Sequence, residues 1–440
     1  MTEVRSFSSS STLDADGLLL ALAPALTPSG ITAHPRFFHG FATHPQVLAR
    51  GLVTLADVTA TRYFQYTPTS QRDPVLTAQG DRLRAECFSA CNGVYARLDL
   101  LAAGFDGGEI GHGTTNVDVG ADMRRALTAM RRTDLVHLDV GNEGMRVATI
   151  DRHAAERPVD MPPRWVRALG NAAELHHELV AAFTLDAAAS RSFLASLPGV
   201  TSPTRSGWLT PGRTGVRVAP RASGGAVFVP GLHRLSALKR LLTQVRSLTV
   251  YGPRGGGEGA ALVEAELPAA RFTLGLTDEI WRGHSGEGAL LAGLAGPSAV
   301  EDADLVCALL AFEPVIDVPR LMRDSGLTEE PIRSALAVLA ASGRVGWDAH
   351  DAAYFHRELP TDAARVERDN PRLRGARALV ASGAVRRDGG DGWLVRSGDD
   401  DYVVRLAGVG SCTCRWFLRH GADRGPCKHV LAVRIAQESR

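Results

Sequence analysis

The stretch from Gly410 to Arg440 constrains this chain more than any other. Cys412, Cys414, Cys427 and His429 stand there in the order C-x-C-x12-C-x-H. Three thiolates and one imidazole are the ligand set that closes a tetrahedral structural zinc site and leaves no position open. Residues two apart on a strand face the same way, so Cys412 and Cys414 can grip one ion from a hairpin edge. Cys427 and His429 can close it from the start of a helix, legible in HVLAVRIAQ with Val430, Leu431, Val433 and Ile435 apolar. Three of the six cysteines fall within sixteen residues here, which argues against chance. The alternatives are free buried cysteines beside a surface histidine, and His420, inside the insert, in place of His429.

The spacing has company. The aromatic pair Trp416 and Phe417, the step Cys427-Lys428-His429 and the preceding strand DDYVVRL together resemble the SWIM zinc finger, a ββα unit. The resemblance implies Zn(2+) held by Cys412, Cys414, Cys427 and His429, and binding of DNA or of other proteins. For bacterial members of this layout it also implies work beside MoxR-type ATPases and von Willebrand A-domain proteins.

At 440 residues the chain has room for two to four domains, each able to bury a core. A hydrophobic content of 45% excludes wholesale disorder, and a net charge of +1 excludes a broadly basic coat for nucleic acid. Cysteines used for metal point to a reducing compartment rather than a disulfide framework. The apolar run Leu18 to Leu26 follows Asp14 and Asp16 and contains Pro24, so it is expected as a short helix, not a secretory signal. No apolar run approaches the ~20 residues that span a bilayer. A cytoplasmic protein with no membrane contact is expected.

The expected class is α+β, in several domains. Residues 1–33 are a loose leader, 34–160 a first α+β unit, and 161–296 a helical connector with a second one. Residues 298–360 form a helical module with a hairpin, and 361–440 a basic linker and the zinc finger. In the first unit a strand at Arg36 precedes a helix from His44 to about Tyr63. The alternating runs RLRAECFSA and VYARLDLLA then flank a turn at Asn92-Gly93. Strand and helix orders repeat downstream, with a helical stretch over Pro163 to Leu197 between them. The repeated βαβββ unit resembles that of the sliding DNA clamps, which face DNA with helices. The helix at Ala121 carries Arg124, Arg125, Arg131 and Arg132, and the one at Leu232 carries Arg234, Lys239, Arg240 and Arg246. Ordinary solvation is the better account of each helix taken alone.

Three short helices after Ser298, the last over Thr328 to Ser342, and the hairpin GRVGWDAHDAAYFHREL resemble a winged helix-turn-helix. A DNA-reading third helix presents basic or amide side chains; this one offers Glu329, Glu330 and only Arg333, which favours packing or protein contact. The most basic neighbourhood is the linker and finger, where Arg386, Arg387, Arg415, Arg419, Arg424 and Lys428 are candidate phosphate contacts. A solvated face balanced by Asp399 to Asp401 is the competing account.

Other constellations lack parts. Cys87 and Cys91 have no third ligand nearby, and Cys307 lies on an apolar helix face. Glu174 and His177 form one Glu-x-x-His step where a di-iron bundle needs two and further carboxylates. The glycines of Tyr251 to Gly259 lack a following lysine and helix for phosphate and are expected as a hairpin end, and Gly111 to Asn116 as a turn. No nucleophile elbow is present, so the expected function is non-catalytic: nucleic-acid binding, or an adaptor for protein partners.

Overall fold

The computed structural model describes residues 36–438 apart from 65–73, 142, 160–162, 204, 214, 285–288, 292–293, 295–297, 358, 360–369, 389–391, 408–409 and 422–423; of the first 35 it describes 12–13, 18–19, 25–27 and 30–32. Thr12–Leu13 pairs with Leu18–Leu19 and Ala25–Thr27 with Gly30–Thr32. At its described positions the helix expected over Leu18 to Leu26 is therefore extended, in keeping with Pro24 and with the Pro28-Ser29-Gly30 turn signal.

Strand β1 (Arg36–Ala42) enters helix α1 (Pro45–Thr59), whose Pro45 supplies the fixed φ favoured at a first helical position. Val47, Leu48, Leu52, Leu55 and Val58 turn inward as their spacing requires. Strands β2 (Val75–Gln79), β3 (Arg82–Phe88), β4 (Val94–Leu101), β5 (Phe105–Ile110) and β6 (His112–Asn116) follow, then helix α2 (Ala121–Thr128). Between β3 and β4, Asn92 adopts φ 58°, a left-handed turn conformation that asparagine tolerates. Gly111 to Asn116 is mostly strand rather than turn, because His112 to Asn116 pair along the whole of β2. A meander of β7 (His137–Gly141), β8 (Gly144–Ala148) and β9 (His153–Glu156) closes the first half.

The second half opens with α3 (Pro163–His177), β10 (Leu179–Leu185) and α4 (Ala187–Ser196). The expected continuous helical stretch is thus broken by a strand, for LVAAFTL carries its β-branched and aromatic residues where the sheet has an edge to fill. Next come β11 (Gly207–Gly212), β12 (Gly215–Ala219), β13 (Val227–Val229), a 3₁₀ helix (Leu232–Leu241) and the meander β14 (Ser247–Pro253), β15 (Ala261–Leu267) and β16 (Ala270–Leu276). The Gly-rich segment after Tyr251 is the β14–β15 hairpin end.

Strand order shows the duplication. The first half gives a sheet β9-β8-β7-β1-β5, and the second repeats its core as β16-β15-β14-β10. In both, a closing meander folds back so that its first strand pairs antiparallel with the opening strand of the half. β16 then pairs with β4, joining the halves in one eight-stranded sheet, β6-β2-β3-β4-β16-β15-β14-β10. Helix α1 packs on one face of this sheet through Leu83, Ala85, Ala96 and Leu98. Gly51 of α1 lies so near that a Cβ there would stand 2.7 Å from Leu98.

Helices α5 (Ala299–Ala308), α6 (Val318–Ser325) and α7 (Glu329–Ala341) precede a hairpin of β17 (Val345–Asp348) and β18 (Ala353–His356). This hairpin covers the other face of the large sheet. By the two-residue period, that face carries Arg82, Arg84 and Glu86 of β3, Tyr95, Arg97 and Asp99 of β4, Glu264 of β15 and Arg271 of β16. Asp348, fully buried, accepts from Arg84 at 2.6 Å and from Arg97 at 2.7 Å, while Asp99 takes the same two guanidinium groups at 2.6 and 2.8 Å. Arg84 also lies 3.7 Å over the ring of Phe355, and Arg357 donates to Glu86 at 3.1 Å. Such desolvated charges are tolerated only because they pair.

The chain ends with α8 (Pro371–Ala381), the sheet β19 (Val385–Arg387), β20 (Trp393–Ser397), β21 (Asp400–Arg405) and β22 (Ser411–Cys412), α9 (Arg415–His420) and α10 (Lys428–Glu438). Arg365 and Arg368 of the basic linker lie outside the described residues.

Candidate metal centre and the surface around it

Cys412 ends β22, where Val404 of β21 fixes its register. Two residues on, Cys414 caps α9, its thiol accepting from the Phe417 amide at 3.4 Å. The insert thus contains a helix that the spacing alone does not reveal. Cys427 immediately precedes α10 and His429 occupies its first turn, with the Leu431 amide bonded to the Cys427 carbonyl at 3.0 Å. All four side chains are buried, and their ligand atoms lie within 4.8 Å of one another. Cys412 Sγ stands 3.6 Å from His429 Nδ1. Zn–S bonds of about 2.3 Å in a tetrahedron place donors about 3.8 Å apart, so the four fit zinc as they stand.

The electrostatics agree. The Cys427 thiol is held well below its usual range, first by a hydrogen bond from Cys412, then by His429 and by amides at the start of α10. Cys412 moves the other way, as the donor of that bond and by burial. A cluster that already favours a thiolate among crowded thiols is one that a divalent cation relieves. Tyr402 stacks on His429 with ring centres 4.4 Å apart, fixing the imidazole plane. His420 is not among the ligands: its ring lies 5.2 Å from that of Trp416.

The finger is not a free-standing bead. Trp393, Val395, Val404, Val430 and Val433 form its own core around the thiols, whereas Leu431, Ala432 and Ile435, on the opposite side of α10, join Leu373 and Ala376 of α8 in the core of α5 and α7.

The basic candidates divide. Arg415 and Arg419 are exposed on α9. Arg386 pairs with Asp401 at 3.1 Å, Arg387 covers the ring of Trp393 at 4.6 Å, and Lys428 donates to Ser397 at 2.8 Å. Arg424 lies 4.8 Å over Trp281, a contact between finger and body that spacing could not have shown. The helical arginines of the body are partly internal ties. Arg124 and Arg240 both grip Asp57, Lys239 donates to the Leu197 carbonyl, and Arg234 is buried on the carbonyls of Pro230, Gly93 and Thr277.

The remaining constellations serve packing. Cys87 donates toward the Leu55 carbonyl and Cys91 accepts from the Tyr63 amide. Glu174 accepts from Tyr354 at 2.9 Å, and His177 stacks on the same ring.

A buried Cys3His set on a strand, a helix cap and a helix start defines a structural zinc module. Residues 402–437 match the SWIM zinc finger family. No curated protein matches the chain in sequence. Among solved structures, the Proliferating Cellular Nuclear Antigen of Entamoeba histolytica is similar at 13% identity, covering 55% of this chain and 99% of that one, with a TM-score of 0.38. The PCNA2-PCNA3 complex of Sulfolobus tokodaii is similar at 10% identity, with 55% and 98% covered and a TM-score of 0.40. No helix among the described residues is long and apolar enough to cross a membrane.

Proposed function

We propose that this protein is a non-catalytic nucleic-acid-binding protein whose contact surface is organised by the zinc-held finger. The observation that carries this is the pair Arg415 and Arg419. They stand one turn apart on the helix that Cys414 caps, exposed, with no carboxylate partner among the described residues. Guanidinium groups so placed are ready for phosphate.

The winged-helix-like segment supports a structural role instead. Helix α7 buries Ile332 and Ala335 through Ala341, and Arg333 is paired with Glu329 at 3.2 Å. Its hairpin is occupied by the large sheet.

The test is binding of labelled duplex and single-stranded DNA by zinc-loaded protein from about 50 to about 200 mM salt. Affinity is expected to fall steeply, and a double Arg415→Gln, Arg419→Gln variant to flatten the salt slope by about 1 per residue. Binding of neither DNA at the lowest salt would overturn the proposal. Leu418, 74% exposed between these arginines, favours a protein partner as the second occupant. A MoxR-type ATPase or a von Willebrand A-domain protein is the candidate suggested by resemblance. A complex that survives nuclease treatment would mark it.

A further inference from the structure

Finger and body meet at a patch of indoles and guanidinium groups. Trp281 belongs to the turn that follows β16, and 55% of it is exposed although Arg424 lies against its ring at 4.8 Å and Arg282 at 5.5 Å. Arg282 is fixed by Asp278 at 3.1 Å and Glu279 at 2.9 Å, and Glu279 also stands 3.9 Å from Arg424, which a phosphate must draw away from it. On the finger side, Arg372 of α8 covers Trp416 at 4.7 Å and donates to the carbonyls of Arg424 and Pro426 at 2.7 and 3.0 Å. His420 beside Trp416 is held below its usual range by desolvation first, and then by Arg424, Arg419, Arg282 and Arg372. Arg372, through its contacts with Trp416 and the Arg424 carbonyl, thus links the finger's indole to the arginine that lies on Trp281.

An exposed tryptophan beside fixed cations has a definite chemical meaning. The part of the indole that the two guanidinium groups leave exposed receives another flat ring, and the cations receive a negative backbone at a neighbouring position. In a duplex the base faces are covered by their neighbours, and an indole reaches them only after unstacking. A single strand offers them free. An acidic peptide would satisfy the arginines but leave the indole face without a ring.

We infer that the patch formed by Trp281, Trp416, Arg419 and Arg424 binds single-stranded nucleic acid, with Trp281 as a base-stacking platform outside the zinc finger. This deepens the nucleic-acid reading above and rests on it. Trp281 positions the strand through its bases, whereas Arg419 and Arg424 hold phosphates. The finger sets the spacing between the two, through Arg372 and the backbone it ties down.

The experiment uses the full zinc-loaded chain with a labelled single-stranded DNA of twenty or so nucleotides and the matching duplex, at fixed low salt, read by anisotropy. Single-strand affinity is expected to exceed duplex affinity at least about tenfold, a gap that unstacking energy supports. Trp281→Ala is expected to weaken the single strand by about 5- to about 150-fold, the range one stacked base supplies, without changing duplex affinity or zinc content. Trp281→Phe should restore most of the loss. If Trp281→Ala leaves single-strand affinity unchanged while Arg419→Gln weakens both DNAs, the stacking platform is wrong and nucleic-acid binding stands. If a polyglutamate peptide competes as well as the single strand does, the patch is a general acid-binding surface and the inference fails. If wild-type protein binds neither DNA, both proposals fall.

Discussion

At the scale of single residues, the metal ligands and the buried ion pairs are read by different measurements. Cys412, Cys414, Cys427 and His429 form a set in which each member is needed. One zinc per chain is expected by elemental analysis, falling toward zero in Cys427→Ala and unchanged in His420→Ala; retention in the first would discard the assignment. Zinc uptake should also release protons, since thiols must ionise to ligate. Asp348 is a different case. Asp348→Asn removes a charge shared by four buried guanidinium groups, those of Arg82, Arg84, Arg97 and Arg271, and is expected to cost about 3–5 kcal/mol in urea denaturation. By contrast Asp122→Asn breaks a pair whose side chains are 75% and 83% exposed, and should shift stability by at most about 1 kcal/mol. Equal effects from the two would contradict the placement of Asp348.

At the scale of elements, close packing of helices decides what is tolerated. Gly170 of α3 faces the backbone of α7, and a Cβ there would stand 2.5 Å from the Ala340 carbonyl oxygen. Backbone cannot give way as a side-chain end can, so Gly170→Ala is expected to destabilise by about 1–3 kcal/mol despite the gain of about 1 kcal/mol in helix propensity. A neutral or stabilising result in thermal unfolding would show that α3 and α7 are further apart. Elements of this kind were unequally legible. The finger could be read because its four ligands sit within eighteen residues and their chemistry admits few partners. The β3–β4 hairpin could be read from its period. The fate of its charged face could not, because Arg82, Arg84, Arg97 and Asp99 alternate as a solvated face does, and their partner Asp348 arrives some 250 residues later. A hint existed in the register, where Arg84 stands opposite Asp99 and Glu86 opposite Arg97. Strand β10 was hidden by its two alanines between helices. Trp281 carries no signal in the sequence, because a lone tryptophan in a turn means nothing until the finger is folded against it.

At the scale of the whole molecule, buried histidines, His176, His233, His284 and His356, and one paired carboxylate cluster set the response to pH. Burial lowers His284 to about 4 and His356 to about 3, and holds His176 well below its usual range. In each case the unfolded chain takes up a proton near pH 6.5 that the native protein refuses, so stability falls as pH drops from about 6.5 toward the folded values. His284 alone is worth on the order of 3 kcal/mol over that window. His350 opposes them: its hydrogen bond to Glu264 raises it, so its contribution is full at low pH and lost as pH rises through the folded value. It is half exposed, and three fully buried groups outweigh it. Asp348 is depressed despite burial, through Arg97, Arg84 and Arg271, and Asp99 through Arg84 and Arg97. Their contribution persists above about pH 4 and disappears only below it. Two acid-sensitive windows are therefore expected, a histidine step between about pH 6.5 and 4 and a carboxylate step beneath it. Loss of zinc from the finger at low pH would overlap the first, so the discriminating measurement is urea unfolding at pH 8, 6 and 5 with His176→Phe alongside. His176 lies beside Tyr95 and His284, far in sequence from the metal ligands. The variant should lose less stability between pH 8 and 5 than the parent. A parallel loss in both would remove His176 from the acid response.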